Sequence, residues 1–210
     1  AIALASAGAG SGWALADASA PPAELTGTIV WTLAREVDDP AAPGRRESAT
    51  TTVEMDVALR MTRARAGVPF LQAHTGTWKA TGNAAAVDGS LGCALHRATD
   101  TDLRGRFAGP NNVVTLVHTP SAHRALLGFS VSKGDGAVIA TTRYCDGTEV
   151  SQNRTYFWTI SDAAIDVSVE RAADGTDRFI VSKEQTAPCG AGATCTRTAR
   201  GVLTPSASTP

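Results

Sequence analysis

The chain has 210 residues, enough for one substantial core, and an all-β body of this size is commonly a single domain. Acidic and basic side chains nearly cancel, 20 against 19, which speaks against both a nucleic-acid-binding surface and a polybasic membrane-surface protein. No apolar run is long enough to span a bilayer, and H-x-x-H, C-x-x-C, G-x-S-x-G, G-x-x-x-x-G-K and H-E-x-x-H are all missing, so no linear motif assigns a catalytic residue, a metal ligand or a cofactor.

The first sixteen residues carry no charge, and Ala14-Leu15-Ala16 fits the small-x-small pattern of a signal-peptidase site. The segment is expected to be the remnant of an export signal. The alternative is an uncharged strand donated to a neighbouring subunit, which would bury Ile2, Leu4, Trp13 and Leu15. Gly8, Gly10 and Gly12 weigh against it, because glycine is a poor strand residue. Ala20-Pro21-Pro22-Ala23 is a stiff hinge. Residues 1–24 therefore read as leader and hinge, 25–204 as a single β domain, and 205–210 as a flexible tail of small residues and proline.

Between the tails the dominant signal is alternation with period two. Ile29, Trp31 and Leu33 alternate with Thr28 and Thr32; Val53, Met55, Val57, Leu59 and Met61 alternate with Glu54, Asp56, Arg60 and Thr62. Asp38 to Arg46, rich in Pro, Gly and charge, reads as a long hairpin loop joining these two strands. Further strands are predicted at Thr75 to Gly82, Val113 to His118, Leu126 to Ser132, Ala137 to Cys145, Thr155 to Ile160, Ile165 to Arg171, Arg178 to Lys183 and Thr196 to Leu203. Asp174-Gly175 marks a hairpin between the strands of Ile165 and Phe179. Helix is confined to a turn or two at Thr99 to Phe107, capped by Thr99 or Asp100. About ten antiparallel strands in one domain favour a β-sandwich, with a β-barrel as the alternative. Gly76-Thr77-Trp78 is similar to the Gly-x-Trp opening of lipocalin and avidin barrels, but eight mid-chain residues without an accompanying motif identify no family.

Cys189 and Cys195 flank a short Gly-rich loop that lets them meet without strain, and Cys93 then pairs with Cys145 by elimination. Two other connectivities exist, and a four-thiolate zinc site would need a different spacing. In the chain-entropy model the long-range bridge contributes about 4 kcal/mol and the short one about 2 to 3. Such bridges imply an oxidising compartment outside the cell. The basic charge is carried by Arg except at Lys79, Lys133 and Lys183, a skew that, with abundant Ala, points to a GC-rich bacterial source. In that setting Asn153-Arg154-Thr155 is a solvated turn; in a eukaryotic one it would accept a glycan.

Four histidines, His74, His96, His118 and His123, have no ligand spacing, and His118 shares a strand face with Val114 and Leu116, the setting of a packing residue. Ser121, His123 and Asp135 could be written as a triad, as could residues of almost any chain. Trp78, set among Thr, Gly and Lys, would anchor a partner or a sugar ring if exposed, although large aromatics are seldom left uncovered. Arg60, Arg63 and Arg65 could clamp an acidic partner, or simply charge a strand edge against aggregation. The expectation is a secreted, disulfide-braced β domain without a cofactor or catalysis of its own, binding another protein or a copy of itself, with a motif-less hydrolase or a carbohydrate-binding inhibitor as alternatives.

Overall fold

The structure, a computed structural model, describes residues 23–38, 44–65, 68–89, 93–107, 111–119, 122–190 and 192–206. Among them the chain forms eleven strands: β1 (Glu24–Asp38), β2 (Arg45–Arg65), β3 (Val68–Asp88), β4 (Leu95–Arg106), β5 (Val113–Thr119), β6 (Arg124–Ser132), β7 (Asp135–Arg143), β8 (Glu149–Asn153), β9 (Thr159–Arg171), β10 (Asp177–Gly190) and β11 (Ala193–Pro205). Thr155–Phe157 is a 3-10 turn at the start of a segment the sequence predicts as strand. The helix expected at Thr99 to Phe107 is not formed. Thr99 to Arg106 belongs to β4, paired with β3 on one edge and β7 on the other, and two ladders of backbone hydrogen bonds outweigh a modest capping preference.

The alternating face of β2 becomes the inside of a barrel: Val53, Met55, Val57 and Leu59 are buried, while Glu54, Asp56 and Arg60 are exposed. β2 pairs with β1 on one edge and β3 on the other, so the order β2-β1-β11-β10-β9-β6-β5-β3 returns to its start and eight strands close. Of the two architectures expected, the barrel is the one formed. Its interior is packed by Leu25, Ile29, Leu71, Leu116, Leu127, Ile165, Phe179 and Leu203, each essentially without solvent contact and each stabilising by about 1.5–3 kcal/mol. The β9–β10 hairpin turns as predicted, with Asp174 accepting the Thr176 N–H at 3.0 Å and Gly175 at φ 80°, a conformation that favours glycine. β1 and β2 form their hairpin too, and residues 39–43 of its loop lie outside the described residues.

Only the base of the barrel is closed. β9 and β10 pair solely between residues 167–171 and 177–181, and β3 meets β5 solely at Phe70 to Gln72. Beyond those points β10, β11, β1, β2 and β3 run on as a sheet, to which β4, β7 and β8 add at the edge of β3. The result is a wing rising from the barrel. Two seams open where the pairings stop. Trp78, buried and stacked on Trp158 at 5.9 Å, fills the first together with Phe107, and Gly105 and Gly134 leave it room, since a Cβ at either would overlap the indole. In the second, a register shift at Leu127/Phe129 and the left-handed Ala164 (φ 55°) let Asp162 and Ile165 both face inward. Asp162 there accepts from Trp31 Nε1 at 2.7 Å and from Lys183 Nζ at 2.9 and 3.0 Å, and Phe129 packs edge-on against Trp31.

Candidate binding surface

The wing has a concave face continuous with the barrel interior and a convex face turned away from it. Side chains alternate between faces, so register alone assembles the concave floor: Arg35, Ala49, Ala84, Thr99, Ala140 and Gln152 stand in one row across six strands. Five strand spacings make this row about 24 Å long. The next row outward carries Glu47, Ala86, Arg97, Thr142 and Val150. Two hollows of about 200 and 430 Å³ lie on this floor and share Arg97 and Thr99, so they form one trough. Its depth comes from the small floor residues Ala49, Ala84, Ala86 and Ala140.

The trough is electropositive. Glu47 accepts from Arg35 Nη1 at 2.8 Å and Arg45 Nη2 at 2.7 Å; the Arg45 hydrogen bond, and beyond it the charge of Arg35, hold its carboxyl below the usual range despite some desolvation. Arg97 is exposed and makes no ion pair among the described residues. Arg154 donates to Gln152 Oε1 at 2.7 Å, and Tyr144, 47% exposed, stands at the rim beside them. The opposite face also carries a hollow, of about 540 Å³, lined by Thr50, Thr52, Thr81 and Asn83 with Asp100 and Asp102, and its charge is mixed, since Lys79, Arg104 and Arg143 share that face in register. Both disulfides form with the expected pairing, and both brace the wing: Cys189–Cys195 ties β10 to β11, and Cys93–Cys145 ties the approach to β4 to the end of β7, with Cα separations of 5.7 and 5.8 Å. Among the described residues no second layer covers the wing, so it buries little there, and covalent bridges supply rigidity that packing does not. The two bridges are consistent with an extracellular location.

The residues singled out from sequence fall elsewhere. Trp78 is 2% exposed, so its indole is core and not a platform for a partner. Arg60 pairs with Glu24 at 3.2 Å near the base, whereas Arg63 and Arg65 end β2 opposite Phe70 and Val68 with their side chains outside the described part. His118 is buried against Phe179, His74 lies 3.9 Å from Glu24, His96 is in β4 and His123 in the β5–β6 turn. No group of His, Cys, Asp and Glu among the described residues could hold a metal ion. His123 and Asp135 flank opposite ends of the nine-residue β6, about 30 Å apart, and Ser121 lies outside the described residues, so the triad is not assembled. Ile2, Leu4, Trp13 and Leu15 also lie outside them. Nothing in the sequence points to the trough, because its floor residues come from separate strands and are among the least distinctive in the chain.

No protein-family model matches the chain, and no curated protein matches it.

Proposed function

We propose that this protein is a secreted, non-catalytic binding module in which the barrel is a rigid base and the wing presents the contact surface. The observation that carries this reading is the trough. It is a concave sheet face uncovered by a second layer of described residues, floored by Ala and Thr, rimmed by arginines and held by two disulfides. Uncovered sheet normally costs stability, so a chain that extends β2 and β3 to 21 residues each and then staples the extension has put structure where a partner would sit. A hydrolase is less well supported, since the nucleophile and base it would need are not brought together among the described residues.

The test is retention of purified, labelled protein at the exterior of the producing cells. Ala84→Trp fills the middle of the trough from a half-buried position on the wing, beyond the packed interior of the barrel. Retention is expected to fall severalfold while the melting temperature holds. Unchanged retention would show that the wing is not the contact surface.

A further inference from the structure

We infer that the trough takes an acidic polysaccharide, a chain of uronic-acid sugars lying across the strands from β1 to β8; this rests on the binding-module reading and names its ligand. Charge sets the first constraint. Arg35, Arg45, Arg97 and Arg154 share the concave face with Glu47 and, opposite Arg45 in register, Asp88, so positive charge is in excess on a molecule whose overall balance is slightly negative. Guanidinium groups bind carboxylates through two parallel hydrogen bonds, and Arg97, near the junction of the two hollows, is not already engaged by a carboxylate among the described residues.

Shape sets the second. A protein partner would be held mainly by large side chains in apolar pockets, yet the two hollows of this floor are lined mostly by alanine methyls, hydroxyls, an amide and arginines. A polyhydroxylated chain suits it better. Thr99 and Gln152 in the first row and Thr142 in the next supply donors and acceptors, Tyr144 supplies an exposed aromatic ring for a sugar face, and a row of about 24 Å accommodates several rings laid end to end. The other face mixes Asp100 and Asp102 with Lys79 and Arg104, so the excess of positive charge that would draw this ligand lies on the trough side.

The experiment uses the full chain with both disulfides intact and titrates it with polygalacturonate, with dextran as the neutral glycan and poly-glutamate as the acidic polypeptide. Polygalacturonate is expected to bind, more weakly as salt rises, and dextran not to. Arg97→Ala should weaken binding about tenfold, the loss of one charge-assisted contact. Arg104→Ala makes the same charge change on the convex side of β4 and should leave binding unaltered, with circular dichroism confirming that both variants fold. Equal weakening by the two variants would reduce the interaction to general charge attraction and overturn the site. Tighter binding of poly-glutamate would assign the trough to an acidic protein segment instead. Binding of none of the three probes would overturn the glycan while leaving the Ala84→Trp retention result standing by itself, so the two failures are separable.

Discussion

Asp162 illustrates how one side chain can stand in for missing backbone pairing. Where β9 and β10 part, the seam would expose unpaired edges to the barrel interior, and a carboxylate shared between Trp31 Nε1 and Lys183 Nζ spans it. Its side chain and that of Lys183 are 10% and 13% exposed, so each neutralises a charge that would be costly alone. No periodicity announces such a residue, because the register shift and Ala164 that turn it inward interrupt the alternation. His118, by contrast, was legible from its apolar strand neighbours. It is 5% exposed, edge-on to Phe179 at 5.1 Å, with Nδ1 unpartnered. Burial pushes its pKa below the ordinary 6.5, Asp177 pulls part of the way back and His123 adds to the lowering. The unfolded chain therefore takes up this proton first. Stability from His118 is full above pH 6.5 and is lost as pH falls through the lower folded value. Urea midpoints at about pH 8 and about pH 5 should differ less in His118→Leu than in the parent; an unchanged difference would place the acid sensitivity elsewhere.

Elements were readable in proportion to how unequal their two faces are. β2 and β9 bury one side and show it in sequence. β8 is exposed at all five residues, and β4 buries little besides Leu95 and Leu103, so neither carries a periodic signal, and the Thr and Asp of β4 imitate a helix cap. β3 outruns its predicted span because Ala84 to Ala86 have little strand preference of their own and are held by partners on both sides. The same lack of burial makes the wing depend on its bridges. Replacing Cys93 and Cys145 together by Ser should cost about 4 kcal/mol, against about 2 to 3 for Cys189 and Cys195. Hydrogen exchange should quicken first in β4, β7 and β8, with the base of β1 and β2 still protected. Simultaneous loosening of base and wing would contradict a division of labour between them.

At the scale of the whole molecule, an antiparallel β domain with two disulfides was readable, and its closure was not. Alternation reports which face of a strand is buried but not which strands are neighbours, and the pairing that closes the barrel is carried by backbone groups common to every residue. The trough was hidden for a related reason: its chemistry appears only when Arg35, Arg97 and Arg154, from three distant segments, are brought to one side of one sheet. The most direct measurement is arginine footprinting by mass spectrometry on the intact protein, free and bound to the surface that retains it. Arg97 and Arg154 should become protected from modification while Arg104 and Arg124, exposed on other faces, react as before. Protection at Arg104 or Arg124 with Arg97 and Arg154 still reactive would contradict the wing's concave face as the binding surface.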